Sequence, residues 1–228
     1  NRRFIAVDGS QFNMISSMSK YGFALNKSKT HCFGMLSSLF DVNNEIPINY
    51  SYYTHKNERI ALVDQIKYLH KNDVIIADRG YFSKKIIKTL YDNNISFIMR
   101  IQNKMYKNQF GSLNEIDNIV NDVPVKIIKY TKNNKDYKLI TDIKDYSIFN
   151  LLVLWTSIEK LSNIYWKRWT IETNFKEIKF KCSLNDQNVN SEVTLNNKIK
   201  TLQFIMLCLH CISSHKIKKH NEVQRTNN

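Results

Sequence analysis

In the first hundred residues, short apolar runs typical of strands are interrupted by segments in which apolar residues recur at helical spacing. Strands are predicted at residues 4–7, 29–42 and 48–54, because these runs are short and the last two flank an Asn43-Asn44 turn. A helix is predicted over residues 58–71, where apolar side chains recur at helical spacing: Ile60, Val63, Ile66 and Leu69. This order predicts three consecutive strands, antiparallel to one another, and then a helix that crosses the sheet.

A strand-helix-strand unit follows. The run at residues 73–78 is β-branched and unbroken, and residues 84–93 have a helical pattern with Ser83 as the N-cap. Residues 95–101 return as another strand. A unit of this kind is suited to parallel pairing of its two strands.

Beyond residue 101 the pattern changes to short β-type pieces separated by polar turns. Strands are predicted at residues 125–130, 137–143 and 151–156, and Trp155 lies on the last of them. We interpret this segment as a small β-rich insertion. The chain is therefore divided into three segments: residues 1–101, 102–156 and 157–228.

Residues 164–180 contain no Gly or Pro and are predicted to form one helix. An apolar stripe on this helix predicts packing onto a core: Ile164, Ile171, Phe175 and Ile178. Beside the stripe, four polar side chains at helical spacing share one strip of surface: Tyr165, Arg168, Glu172 and Lys179. Arg168 and Glu172 are either a solvated i,i+4 pair or part of a functional face.

A final helix over residues 196–219 is predicted to close the core. Its apolar side consists of Ile199, Leu202, Ile205 or Met206, Leu209 and Ile212. Cys208 and Cys211 on this helix have the spacing of a zinc-ligand pair, but a second pair is missing. Cys208 is therefore interpreted as a small core residue on a buried helix.

The net charge of the chain indicates the kind of partner that it binds. Its 228 residues include 34 Lys and Arg against 20 Asp and Glu, which gives a net charge of +14. A field of this sign attracts a polyanion, and nucleic acid is the commonest one. A membrane is not predicted as partner, because no basic amphipathic helix stands out and the longest apolar window, residues 204–212, is too short to span one.

Two acidic residues follow predicted strands. Asp8 precedes Gly9-Ser10, and Asp78 begins the sequence Asp78-Arg79-Gly80-Tyr81. Each acid could simply open a turn. The functional alternative is a pair of carboxylates held at the edge of a sheet and directed at a metal ion.

The two acidic motifs and the spacing of Tyr165, Arg168, Glu172 and Lys179 together resemble the DDE transposases of the IS-four insertion-sequence family. The resemblance covers nearly the whole chain. It implies an α/β fold, an RNase H-like mixed sheet flanked by helices, with the β-rich insertion before the last catalytic helix. It also implies cut-and-paste transposition, in which a metal-dependent enzyme cleaves phosphodiesters and transfers strands at transposon ends.

The resemblance assigns roles residue by residue. Asp8, Asp78 and Glu172 match the catalytic acids, which would hold two Mg²⁺ ions, with Mn²⁺ as a substitute. The residues expected to contact DNA are Tyr165, Arg168, Lys179 and Arg79. The expected partner is double-stranded DNA, both transposon ends and target, bound by a homodimer. We expect a cytoplasmic, nucleoid-associated protein in a bacterium, and otherwise a protein of the nucleus or a viral factory.

Two other functions remain open at this point. A domesticated or inactive descendant of a transposase would bind DNA without cutting it, and an RNase H-like nuclease would cut particular DNA structures. Because the chain begins at Asn1 within a core-like strand pattern, we also expect a segment upstream of it.

Overall fold

In the computed structural model, which describes residues 2–144, 157–181 and 189–226, nine strands form one mixed sheet. The strands are β1 (Phe4–Ile15), β2 (Ala24–Leu25), β3 (His31–Asp41), β4 (Ile46–Tyr53), β5 (Val74–Ala77), β6 (Ser96–Ile101), β7 (Glu115–Val120), β8 (Val123–Lys132) and β9 (Lys135–Thr141). Their order across the sheet is β2-β3-β1-β5-β6-β9-β8-β7, and β4 pairs with β3. The helices are α1 (Glu58–Gln65), α2 (Lys84–Asp92), α3 (Ser157–Trp166), α4 (Trp169–Lys181) and α5 (Glu192–Thr226). The predicted class, a mixed sheet flanked by helices, is confirmed.

The three predicted antiparallel strands are present as β1, β3 and β4. The prediction that the first strand ends at Asp8 is wrong, because β1 continues to Ile15 and pairs with β3 along its whole length from Ile5 onward. The physical reason is that Phe12 and Met14 bury their side chains, so the strand alternation continues past Gly9. Asp8 therefore lies inside a long strand.

The strand-helix-strand unit is confirmed as β5, α2 and β6. β5 pairs in parallel with β6 and also with β1. The Ser83 hydroxyl accepts a hydrogen bond from the backbone N–H of Ile86 at 3.1 Å, as an N-cap does.

The helix predicted over residues 58–71 is shorter than expected. α1 ends at Gln65, and a 3₁₀ turn covers Ile66–Tyr68. The buried face of α1 is formed by Ala61, Leu62 and Gln65 and not by the predicted Ile60 and Val63, which are exposed. Polar contacts decide this orientation, because the Gln65 amide is hydrogen-bonded inside the core to Asn49 and Ser37.

The segment after β6 continues the sheet. The predicted pieces at 125–130 and 137–143 correspond to β8 and β9, and β7 is a further strand that the sequence pattern did not predict. β9 pairs antiparallel with β6, so the central sheet extends without interruption into β7–β9. The strand predicted at 151–156, with Trp155, lies outside the described residues.

The single helix predicted over residues 164–180 is wrong in one respect: α3 ends at Trp166 and α4 begins at Trp169. In the break the backbone bonds span three residues, from the Arg168 N–H to the Tyr165 carbonyl at 3.0 Å and from the Ile171 N–H to the Arg168 carbonyl at 3.1 Å. The predicted apolar stripe is nevertheless confirmed, because its four members are all buried: Ile164, Ile171, Phe175 and Ile178.

Apolar side chains cover both faces of the sheet. One core cluster joins β1, β3 and β5 to α3, α4 and the start of α5, and the other joins the opposite face of the strands to α1 and α2. The first turns of α5 are buried at Leu195, Ile199 and Leu202, whereas Leu209 and Ile212 are exposed. The predicted core-facing side of the last helix is therefore right only for its first half. No helix in the described part of the chain has the length and apolar character needed to cross a membrane.

Candidate active site

Asp8 and Asp78 lie beside one another because of the parallel pairing of β1 and β5. The register pairs Ala6 with Ile76, and each acid comes two residues after its member of that pair. The parallel ladder between β1 and β5 ends before both acids, so Asp78 follows the end of β5 while Asp8 continues within β1, paired with Ser38 of β3. Each carboxylate accepts a hydrogen bond from a nearby backbone group: Asp8 Oδ1 from the Gly9 N–H at 2.9 Å, and Asp78 Oδ1 from the Gly80 N–H at 2.7 Å.

Arg168 connects β1 to α4. Its Nη1 lies 3.6 Å from Asp8 Oδ2, and its Nη2 lies 3.1 Å from Glu172 Oε1. The exposed fractions of the three side chains are 8% for Arg168, 20% for Asp8 and 36% for Glu172. The helix break at Lys167 and Arg168 thus directs the guanidinium into the site. Asp8, far from the other two along the chain, thus forms one ion-paired group with Arg168 and Glu172.

A further acid, Glu58, reaches the same place and was not identified from the sequence. It is the first residue of α1, and the position of a Cβ on Gly9 would lie 2.9 Å from Glu58 Oε1. A Cβ on Gly80 would lie 3.5 Å from Glu58 Oε2 and 3.0 Å from Asp78 Oδ1. The two glycines therefore leave the space that the Glu58 carboxylate fills. The only signal in the sequence was an acid in the first turn of a predicted helix, which many helices have.

The carboxyl groups of this site are short of positive charge. Burial raises the pKa of Asp8 to about 6, against the opposing effects of the Arg168 charge and the Gly9 N–H, and the charges of Asp78 and Glu172 raise it further. Burial, together with the charges of Asp8 and Asp78, raises the pKa of Glu58 to about 7. A single guanidinium does not compensate this cluster, so a cation would be favoured there.

The predicted DNA-contacting residues lie in different environments. Tyr165 is 2% exposed, and its ring centroid lies 6.0 Å from the guanidinium carbon of Arg168. Lys179 is half-buried on α4, and burial lowers its pKa. Arg79 is exposed and lines a groove of about 350 Å³ together with Arg100 and Lys104. Arg79 is thus the one of the four whose surroundings are most directly suited to an anion, whereas Arg168 is already paired with Asp8 and Glu172.

The donor chemistry at this site fits a divalent metal ion. Mg²⁺ and Mn²⁺ prefer carboxylate oxygens, and Asp8, Asp78 and Glu172 supply them beside half-buried Glu58. Within the described ranges, no three His, Cys, Asp or Glu side chains are already arranged as a metal-ligand group. Two of the acids, Asp8 and Glu172, are held apart from a common metal position because the guanidinium of Arg168 lies between them.

A family model and a protein of similar sequence agree on one family, and a solved structure shares the fold. The family described as "Transposase DDE domain" matches residues 1–209. A protein of Synechocystis sp. named as a transposase for insertion sequence element IS4SA is 28% identical over 141 residues, which are 61% of this chain and 41% of that protein. The fold is shared with a cryo-EM structure of a piggyBac transposase synaptic complex with hairpin DNA, at a TM-score of 0.55 and 13% identity, over 93% of this chain and 48% of that chain. This chain thus spans less than half the length of each relative.

Proposed function

Because the chain belongs to the family of DDE transposase domains, with a relative of the IS4 type, we propose that it catalyses cut-and-paste DNA transposition. In this proposal it cleaves phosphodiesters at transposon ends and joins the freed strand to target DNA. The observation that carries the proposal is the group formed by Asp8, Arg168 and Glu172, in which one guanidinium joins acids of β1 and α4, with Asp78 beside Asp8 at the end of the neighbouring parallel strand.

Transposases of this family depend on divalent metal ions. We propose that Asp8, Asp78 and Glu172 hold two Mg²⁺ ions, which Mn²⁺ can replace. When bound, such ions stabilise negative charge on the attacking and leaving oxygens of a phosphodiester. The raised pKa values of Asp8 and Glu58 support the proposal, since a carboxyl group that is costly to ionise alone gains most from a cation.

Arg168 is proposed to bind the phosphate that reacts. Its Nε is buried and has no hydrogen-bond partner in the described part of the chain, so this donor of the guanidinium is unsatisfied. A phosphate oxygen is a suitable acceptor for it. Tyr165, which the sequence resemblance assigns to DNA contact, supports Arg168 from the buried side, because its ring packs under the guanidinium. We therefore propose Tyr165 as a residue that positions Arg168.

A basic track leads away from Asp78. It begins at the groove lined by Arg79, Arg100 and Lys104, and Lys104 also borders a neighbouring cavity of about 470 Å³. Three more lysines line that cavity: Lys107, Lys129 and Lys138. We propose that a DNA backbone follows this track, which suits a sequence-independent contact with phosphates. Lys179 on α4 is proposed as a further phosphate contact.

The proposed partners are the two ends of a transposon and a target duplex, bound by two copies of the chain. The piggyBac relative was captured as a synaptic complex with hairpin DNA, which supports this assembly here. The site of action would be wherever that DNA lies, the nucleoid in a bacterium or otherwise the nucleus or a viral factory. Sedimentation of the protein with and without end DNA measures the copy number, and a monomer in both states would contradict the dimer.

The proposed function is tested with a supercoiled plasmid that carries the DNA flanking the natural gene. With Mg²⁺ or Mn²⁺ we expect nicked and linear products, which disappear in Asp8→Asn while DNA binding is retained. Asp92→Asn is the matched control, because Asp92 is an exposed acid paired with Lys88 at the end of α2. Equal cleavage by Asp8→Asn would remove Asp8 from the site. Binding without cleavage in any metal would favour a descendant that no longer cuts DNA.

A further inference from the structure

We propose that Glu58 is a fourth metal-binding carboxylate of this site, placed between Gly9 of β1 and the loop that follows Asp78. This inference rests on the proposed function, because it concerns the divalent ion which that function needs. Neither the predicted acidic motifs nor the spacing of residues on α4 includes Glu58. The assignment of Glu58 depends on the three-dimensional position of the first turn of α1.

The two oxygens of Glu58 face two different segments, Gly9 within β1 and Gly80 in the loop after β5. Oε1 lies 2.9 Å from the Cβ position of Gly9, and Oε2 lies 3.5 Å from the Cβ position of Gly80. Asp78 Oδ1 lies 3.0 Å from that same Gly80 position, so the carboxylates of Glu58 and Asp78 flank one point. Asp8 precedes Gly9 directly and interacts electrostatically with Glu58. Glu58 is therefore next to both aspartates.

A helix-capping role does not account for this position. The N-cap of α1 is Asn57, whose side-chain oxygen accepts from the Ile60 N–H at 3.2 Å. An acid that only favours the helix dipole can remain in solvent, as Glu192 does in the first turn of α5. Glu58 is instead half-buried, and the favourable charge of Arg168 is outweighed there by burial and by the charges of Asp8 and Asp78, so the pKa of Glu58 is raised. A carboxylate in that state needs a cation or a proton.

Two buried donors around the acids independently indicate a missing ligand. The Tyr81 side chain is fully buried, and its hydroxyl has no hydrogen-bond partner in the described ranges although it lies within electrostatic reach of Glu58, Asp8 and Asp78. Arg168 contacts Asp8 through Nη1, and its Nε is also buried without a hydrogen-bond partner in the described ranges. A phosphate accepts hydrogen bonds from a guanidinium or a hydroxyl, and a water molecule bound to a metal ion donates one to a hydroxyl oxygen.

The acids of the site also differ in their neighbours, so a metal ion and Arg168 can be bound by different sets of them. Arg168 lies between Asp8 and Glu172, whereas Glu58 adjoins Asp8 and Asp78 from the side of α1. A cation held by Asp8, Asp78 and Glu58 would therefore leave the ion pair of Arg168 with Glu172 intact. In this assignment Glu58 secures one metal ion before DNA is bound.

The test is Mn²⁺ binding to the full chain without DNA, measured by calorimetry and by the loss of the free-ion spectrum in electron paramagnetic resonance. We expect Glu58→Gln to weaken the tightest Mn²⁺ site at least tenfold. Glu192→Gln is the matched control, because it removes an exposed acid from the first turn of another helix. In EDTA, Glu58→Gln should be at least as stable as the wild-type chain, since it removes a negative charge from an uncompensated cluster.

The outcomes separate this inference from the proposed function. Wild-type Mn²⁺ affinity in Glu58→Gln, or no Mn²⁺ binding by the wild-type chain, overturns the role of Glu58 even where cleavage depends on Asp8. A Glu58-dependent Mn²⁺ site in a protein that cleaves no DNA supports Glu58 and contradicts the proposed transposase activity. A loss of stability in EDTA combined with unchanged Mn²⁺ affinity would make Glu58 a structural residue and also overturns the inference.

Discussion

Replacing Arg168 by Met removes the one cation that Asp8 and Glu172 share and keeps a side chain of similar length. Arg168 is 8% exposed and makes contacts of 3.6 Å to Asp8 and 3.1 Å to Glu172. The variant should leave two carboxylates without a counter-charge. We expect it to be less stable than the wild-type chain in the absence of metal, and the loss should depend on pH.

The magnitude follows from the two contacts. Removing one member of a buried ion pair costs about 3–5 kcal/mol. Here the figure is reduced, because Glu172 is 36% exposed and because Asp8, whose pKa is raised to about 6, can take up a proton. We therefore expect a loss of about 2 kcal/mol in the free energy of unfolding at pH 8. At pH 5 Asp8 is largely protonated already, so the loss should fall below about 1 kcal/mol.

The assay is urea unfolding of both proteins with EDTA at pH 5 and pH 8, followed by circular dichroism. Lys176→Met is the matched control, because Lys176 is an exposed cation on the same helix. We expect that control to change stability by less than about 0.5 kcal/mol at either pH. A loss for Arg168→Met that is equal at both pH values, or larger at pH 5, would refute the assignment of Arg168 as the counter-ion of Asp8.

Three further predictions concern the acids, the basic track and the support of α4. With EDTA, the free energy of unfolding should fall as pH rises from 5 to 8, because the pKa values of Asp8 and Glu58, about 6 and about 7, lie above their unfolded values. Arg79→Ala should weaken duplex binding and lower the salt slope of the binding constant by about one phosphate contact. Tyr50→Phe should cost about 1–3 kcal/mol in urea unfolding, because it removes the buried 2.6 Å hydrogen bond to Asn174 on α4.

Controls for these experiments come from the same chain. Mg²⁺ in place of EDTA should flatten the pH dependence, and stability that rises between pH 5 and 8 without metal would contradict the raised pKa values. Lys27→Ala changes an exposed lysine outside the basic track, and an identical salt slope for it and Arg79→Ala would remove Arg79 from the DNA contact. Tyr91→Phe changes an exposed tyrosine, and an equal cost there would show that the hydrogen bond of Tyr50 contributes nothing.

The features predicted well from the sequence are those set by local periodicity and by strand pairing. The β-branched run before Asp78 corresponds to β5, and the two strands of the predicted strand-helix-strand unit are the parallel pair β5 and β6. The apolar stripe of Ile171, Phe175 and Ile178 is buried as expected. These predictions hold because a buried strand or helix face needs a particular spacing of apolar residues, which a single sequence displays directly.

The features that were missed depend on contacts between distant residues. The face of α1 was wrong because Gln65 is buried through hydrogen bonds to Asn49 and Ser37, which outweigh the exposure of Ile60. β1 extends past Asp8 because β3 pairs with it through Ile15. The spacing of apolar residues within one segment does not show which distant residues it contacts. It therefore predicted that β1 ends too early and that a different face of α1 is buried.

The break between α3 and α4 shows how a departure from the predicted pattern serves the site. In one continuous helix, Arg168 and Glu172 would make an ordinary surface pair. The turn at Lys167 instead brings the guanidinium of Arg168 against β1, where it is almost fully buried between Asp8 and Glu172. Burying a guanidinium is favourable only when acids compensate it, and burying those acids is favourable only with a cation. The fold therefore makes the acids and Arg168 depend on one another, and the negative charge left at Asp78 and Glu58 is what a divalent ion would neutralise.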